Sequence, residues 1–165
     1  MALSGLNHTV RWSEFTQKRS RPAGEEEDAY IEVRYGYSYS SQRNGNAIRI
    51  SGAVVTIAMR TRNSWSVTSQ QTTDLLAHEQ GHYDITAIGA REFYNELLTL
   101  SAASDTDLKQ AASDLNNRYQ QQINTANSNY DTQTNHSQNT QQQQQWIRSI
   151  ATEKQKQDGS LNNLP

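Results

Sequence analysis

The spacing of apolar residues changes character once along this chain, near Asp74. Before that point, residues 29–35 and 47–57 are rich in β-branched and aromatic residues, and an Asn44-Gly45 turn signal separates them. A third short strand is expected near Trp65. After Asp74, apolar residues recur at helical spacing. This order predicts an α+β domain in which a small N-terminal antiparallel sheet packs on a C-terminal helical bundle.

Three helices are expected in the second half of the chain. The first begins near Asp74, and the second follows the candidate N-caps Ser104 and Asp105. Each carries a single apolar stripe, which is typical of a helix packed on a core. The third is expected over residues 140–156. Residues 1–157 are therefore interpreted as one domain, and residues 158–165 as a flexible tail.

The composition excludes several classes of function. The chain has 165 residues, a formal net charge of -2 and no cysteine. Near-neutral charge gives no basis for binding nucleic acid, and no apolar run is long enough to predict a membrane span. Without cysteine, neither a disulfide nor a thiolate zinc site can form. Because the first residues lack the pattern of a secretory signal, we expect either a protein that stays inside or a mature part without its leader.

The strongest functional signal is the sequence His78-Glu79-Gln80-Gly81-His82, a HExxH motif inside the first expected helix. Residues four apart share a helix face, so both imidazoles can reach one ion, and zinc favours this arrangement. Glu79 lies about 100° further round the helix, where it is expected to act as a base on water activated by the metal. Gly81 costs about 1 kcal/mol of helix propensity, which close approach of another backbone would explain.

The third metal ligand must come from a later segment. Ile85 and Ile88 stand where the metzincin class needs glycine and histidine, which excludes that class. Asp84 points away from the two histidines and is expected to pair with another helix or with an arginine. His136 lies between the second and third helices, where a helical hairpin can return it to the first helix. Asp131 is the competing candidate, as a ligand or as an acceptor for a ligand imidazole.

Several separated motifs resemble one bacterial family. In chain order they are residues 10–15, Asn63-Ser64-Trp65, residues 75–85 around HExxH, the segment from Tyr130-Asp131 to His136, and Gln145-Trp146. This series is similar to the bacterial predicted secreted zinc-dependent proteases, known as domain of unknown function 922.

The resemblance carries specific expectations. It implies a zincin-like metalloprotease domain, a secreted or periplasmic location, zinc ligands at His78 and His82, a catalytic Glu79 and a role for His136. In the family a glycine follows that last histidine, whereas this chain has Ser137.

Together these features predict a zinc-dependent hydrolase, a metallopeptidase that acts on a peptide or protein substrate. His78, His82 and His136 are expected to hold Zn²⁺, with Glu79 as the general base. The alternative is a non-catalytic, zinc-stabilised binding or scaffold module, which would use the same histidines without needing Glu79.

Two further roles are expected around the catalytic centre. The strand near Trp65 leads into the first helix and is expected to hold an extended substrate by strand addition. Peptide hydrolysis also needs a donor that stabilises the oxyanion, and Tyr83 and Tyr130 are both candidates.

Overall fold

The computed structural model describes residues 2–165. Within them, seven strands are formed: β1 (Ala2–Ser4), β2 (Thr16–Lys18), β3 (Ala29–Tyr30), β4 (Val33–Asn44), β5 (Ala47–Met59), β6 (Trp65–Val67) and β7 (Ser101–Ala102). The three helices are α1 (Thr73–Leu97), α2 (Asp105–Thr134) and α3 (Thr140–Gln155). The α+β class expected from the sequence is confirmed.

The strands form two mixed sheets rather than one antiparallel sheet. In the larger sheet, β4 and β5 form the expected antiparallel hairpin, while β1 runs parallel to β5 and β7 also pairs with β5. In the smaller sheet, β6 lies between β2, which is parallel to it, and β3, which is antiparallel. Both parallel pairs arise because N-terminal segments return alongside later strands. Strand β4 forms an edge of the larger sheet.

Helix α1 is the central element of the fold. Thr72 caps its first turn by accepting a hydrogen bond from the backbone N–H of Leu75 (3.1 Å). Residues 85–91 are all buried, because the sheet and the other two helices cover the helix from different sides. Asp84 forms an ion pair with Lys154 of α3 (2.7 Å), which confirms that this carboxylate pairs with another helix. The HExxH motif therefore lies in a helix that is held on several sides.

A short segment with an unusual backbone joins α2 to α3. Asn135, His136 and Ser137 have φ values of 47°, 49° and 74°, all in the left-handed region. For residues other than glycine this conformation costs about 1–2 kcal/mol each, so surrounding contacts must hold the turn. The turn determines the direction in which the His136 side chain points relative to α2 and α3.

The C-terminal residues, expected to form a flexible tail, fold back onto the helices. Leu161 is 8% exposed and packs near Gly89 of α1. The guanidinium of Arg91 donates to the carbonyls of Glu153 (2.7 Å) and Gly159 (3.1 Å). The polar composition of this segment conceals its docking, because backbone groups and polar side chains, together with Leu161, supply the contacts. No described helix has the combination of length and apolar character that a membrane crossing requires.

Candidate metal centre

The two histidines of the HExxH motif face α2. His78 is 3% exposed, and its Nε2 lies 3.2 Å from Nε2 of His82. Helix α2 supplies Asp131, whose Oδ1 is 3.1 Å from Nε2 of His78 and 2.8 Å from Nε2 of His82. Three potential ligand atoms from two helices therefore converge on one point.

Amide side chains fix the orientation of both imidazoles. Nδ1 of His82 is 2.8 Å from Oδ1 of Asn127, whose amide nitrogen donates to the carbonyl of Ile123 (3.0 Å). Nδ1 of His78 is 3.1 Å from Oε1 of Gln143 in α3. An amide oxygen only accepts, so each Nδ1 carries the proton and donates it. Each Nε2 then presents its lone pair to the convergence point, which is the arrangement of a metal-ligating histidine.

The donor atoms fit the geometry of zinc. Zinc–nitrogen bonds of about 2.0–2.1 Å in a tetrahedron put neighbouring ligand atoms about 3.3 Å apart. The three separations here are 2.8, 3.1 and 3.2 Å. Two imidazole lone pairs and a carboxylate at these distances repel one another unless a cation lies between them. The donor set of two nitrogens and one oxygen is also one that zinc accepts.

The ionisation of His82 and Asp131 also favours a positive charge between them. Burial lowers the pKa of His82, but the hydrogen bond and the charge of Asp131 outweigh it and raise that pKa to about 9. Burial likewise opposes ionisation of Asp131, and the two histidines outweigh it, so the pKa of Asp131 is lowered. Without a metal, the centre therefore attracts a proton. A metal ion would supply the same positive charge without one.

Glu79 lies beside this cluster and not within it. Its side chain is 2% exposed, and the backbone N–H of Ile31 donates a hydrogen bond to its carboxyl group. The second oxygen, Oε2, has no hydrogen-bond partner among residues 2–165. Burial raises the pKa of Glu79 to about 8, and the charges of Glu27 and Asp131 add to that rise. To act as a general base this carboxyl must be ionised, and the positive charge of a metal ion bound at the neighbouring ligands would lower its pKa and favour that form.

The close approach at Gly81 comes from a side chain and not from the other backbone that we expected. A Cβ atom at this position would lie 2.5 Å from the hydroxyl of Tyr130. The Tyr130 ring stacks on the His78 imidazole, with centroids 4.6 Å apart and an interplanar angle of 22°. Gly81 thus makes room for the ring that supports His78.

The two tyrosines proposed as oxyanion donors differ in their partners. The hydroxyl of Tyr83 donates to the carbonyl of Gly5 (2.7 Å), so it is engaged in holding the N-terminal segment. The buried hydroxyl of Tyr130 lies near the Gln143 amide but forms no regular hydrogen bond in the part of the chain that the structure describes. Burial raises the pKa of Tyr130, so this hydroxyl keeps its proton.

The structure does not bring His136 into the same group as the two other histidines. Its Nδ1 lies 2.8 Å from Oε1 of Glu27 and 3.8 Å from Oδ1 of Asp131. Glu27, Asp131 and His136 form a neighbouring group of possible ligands, which shares Asp131 with the first group. Sequence reasoning missed Glu27, because the acidic run around it is typical of a solvated loop. It also missed Asn127 and Gln143, which carry no motif of their own.

The centre opens into a cleft of about 770 Å³. Glu79, His82 and Asp131 line one end of it, and residues 30–37 and one face of α2 line the rest. The strand near Trp65, expected to hold a substrate, cannot do so by strand addition. It is β6, and β2 and β3 already occupy both of its edges. Two edge strands border the cleft: β3 contributes only Tyr30, and β4 supplies the longer edge.

Comparisons with curated proteins and with solved structures found no match. One family model, described as a bacterial protein of unknown function (DUF922), matches residues 7–137. The matched region includes the HExxH motif, Asp131 and His136, and it covers most of the chain. The chain therefore belongs to the bacterial protein family of unknown function DUF922.

Proposed function

We propose that this chain is a zinc-dependent hydrolase of the metallopeptidase type. One observation carries the proposal. The lone pairs of His78 and His82 and the carboxylate of Asp131 converge at zinc-like separations, directly beside the buried Glu79 carboxyl with its unpartnered oxygen. These groups lie at one end of an open cleft, so a substrate can reach them.

Within this proposal, Asp131 is the third protein ligand in preference to His136. Oδ1 of Asp131 lies 2.8 Å from Nε2 of His82, whereas His136 belongs to the adjacent group around Glu27. His136 and Glu27 would then be neighbours of the ligand Asp131 and not ligands themselves. Three protein ligands leave one position of a tetrahedral zinc ion for water or substrate, as catalytic zinc sites do.

Zinc in this site would polarise the scissile carbonyl and make the attacking water more acidic. The Glu79 carboxyl group lies near the Ile31 N–H, and its Oε2, which has no hydrogen-bond partner among the described residues, is the candidate proton acceptor of Glu79. It takes the proton from the water as the carbonyl is attacked, and then transfers it to the leaving amine nitrogen. Neither Tyr83 nor Tyr130 lines the cleft, so the donor to the oxyanion is not assigned to either tyrosine.

The test compares the wild-type chain with Glu79→Gln. Both are purified, loaded with zinc and incubated with a broad peptide library whose products are read by mass spectrometry. Glu79→Gln should keep the zinc while losing about 10²-fold to 10⁴-fold in cleavage rate. Equal cleavage by both chains would contradict the role of Glu79. If both chains hold zinc and neither cleaves, the non-catalytic binding module replaces the peptidase as the preferred function.

A further inference from the structure

The outer edge of β4 is a row of free backbone groups beside the cleft. The carbonyl of Glu32 accepts a hydrogen bond from the backbone N–H of Arg60 (2.7 Å), just before β4 pairs with β5. Backbone groups of successive residues alternate between facing the partner strand and facing away. Those of Val33, Tyr35 and Tyr37 therefore face away from β5. Among residues 2–165, β4 pairs with no second strand.

The cleft follows this edge and not a face of the sheet. Every residue from 30 to 37 lines it, without the alternation that a face would show. The opposite wall is α2, which contributes one row of amide side chains, Asn116, Gln120, Asn124 and Asn127. These positions are three or four residues apart, so they share one helix face.

The two walls have matching repeats. Side chains four residues apart on a helix are separated by about 6 Å along its axis. Alternate residues of an extended chain are separated by about 6.6 Å. An extended chain paired with β4 would thus meet one α2 amide for every second residue. The side chains of Asn116 and Asn124 form no hydrogen bond with other described residues, so their amides are available.

Tyr35 provides an independent observation on the chemistry of the cleft. Its side chain is 8% exposed and its ring packs on Phe93, with centroids 5.1 Å apart. Its buried hydroxyl lies near the Gln120 amide of α2, but the two groups form no regular hydrogen bond. A polar ligand group between the two walls could complete the hydrogen bonding of this hydroxyl.

The charges lining the cleft are concentrated near the metal centre, at Glu27, Glu79 and Asp131. Further along, Arg34 is paired with Glu32, and the α2 wall offers neutral amides. This part of the cleft therefore suits backbone groups and uncharged polar side chains. Hydrogen bonds to main-chain groups are how an edge strand binds an extended peptide.

We propose that the cleft between β4 and α2 binds an extended, uncharged polypeptide segment of about five residues, and that the α2 amide row determines its specificity. The length follows from the rise of about 16 Å between Asn116 and Asn127. Since β4 runs away from Glu79, a segment added in the more stable antiparallel sense runs towards Glu79. The bound residues then lie on the amino-terminal side of the scissile bond. This reading of the substrate rests on the proposed peptidase function.

The test places one negative charge on the cleft wall. Asn124 lies about 10 Å along α2 from Asp131, which corresponds to about three residues of an extended chain. Asn124→Asp should therefore favour Lys or Arg about three residues before the cleavage site, by about two- to five-fold. Asn117→Asp is the matched control, because Asn117 is exposed on the same helix and does not line the cleft. The probe is the peptide library, scored by residue frequency at each position.

A binding measurement separates this inference from the proposed function. Zinc-loaded Glu79→Gln, alone and with Asn124→Asp or Asn117→Asp, is used to capture library peptides, and the bound peptides are sequenced by mass spectrometry. If Lys and Arg are enriched in the peptides captured by the Asn124→Asp chain and not in those captured by the Asn117→Asp chain, peptide binding in the cleft is supported, even if wild type cleaves nothing. If wild type cleaves peptides and both Asp variants have identical residue preferences, the proposed peptide binding in the cleft is refuted. The proposed peptidase function is then retained. Capture of no peptide by the folded, zinc-loaded chain also refutes peptide binding in the cleft.

Discussion

Replacing Gly81 by alanine puts a methyl group where the Tyr130 ring lies. The new Cβ would be 2.5 Å from the hydroxyl and 2.6 Å from Cε1 of Tyr130, so the ring must move. That ring is fully buried between His78, with centroids 4.6 Å apart, and Trp146, with centroids 5.1 Å apart. A shift of the ring therefore displaces His78 from its position as a ligand.

The expected magnitudes follow from two opposing effects. Alanine in place of glycine favours the helix by about 1 kcal/mol, whereas forcing extra volume into a packed core costs about 1–3 kcal/mol. The metal-free Gly81→Ala chain should therefore lose up to about 2 kcal/mol of unfolding free energy. Zinc affinity should fall by about 10- to 100-fold, as it does when the support of a ligand is disturbed.

Gly89→Ala is the matched control for this prediction. It lies in the same helix, and its Cβ would be 2.4 Å from Cγ1 of Ile123 and 2.9 Å from Cδ1 of Leu161. The overpacking is comparable, but these side chains do not stack on a ligand. Unfolding free energy is measured by denaturant titration of chelator-treated protein, and zinc affinity by competition with a chromophoric chelator. Equal zinc affinities for the two variants would refute the role assigned to Gly81 and Tyr130.

Two further predictions concern stability. Ser137→Gly should raise the unfolding free energy by up to about 1 kcal/mol, because φ of 74° favours glycine, and a denaturant midpoint that is unchanged or lower would count against strain in this turn. Hydrogen bonds from Lys156, Asn163 and the Ser160 N–H lower the pKa of Glu153 to about 2, below its value in the unfolded chain. The carboxylate therefore stabilises the fold above about pH 4.5, and this contribution is lost as the pH falls towards 2. Glu153→Gln should be less stable than wild type at pH 6, and thermal unfolding should show the gap closing between pH 4.5 and 2; a constant gap would contradict the assignment.

The features that sequence could predict are those set by local spacing. Helix α1 follows from its apolar period, and the β4–β5 hairpin follows from an Asn-Gly turn between two β-rich runs. The shared face of His78 and His82 needs only the helical repeat. Each of these depends on residues that are close together in the chain.

The features that sequence could not predict depend on contacts between distant segments. Strand β6 is three residues long, and its neighbours β2 and β3 come from separate parts of the N-terminal region, so nothing local marks both of its edges as occupied. The partner of Gly81 is Tyr130, which is far along the chain. The helix-propensity cost of Gly81 indicated a close approach, but the approaching group is a side chain and not the backbone that was expected.

The relation between Asp131 and His136 shows the same limit. Helix α2 continues to Thr134, so Asp131 stays on a regular helix that faces α1. His136 lies beyond the end of that helix, in the left-handed turn that directs it to Glu27. Asp131 and His136 lie on either side of the end of α2, and helix ends are the least predictable part of a helix.

The central proposal is a metal centre built from His78, His82 and Asp131. The most direct measurement is the zinc content per chain, determined by mass spectrometry of the metal after purification, for wild type, Asp131→Asn and His136→Ala. We expect about one zinc in wild type, loss of most of it in Asp131→Asn, and retention in His136→Ala. Full retention in Asp131→Asn together with loss in His136→Ala would contradict this ligand set and return His136 to the third position.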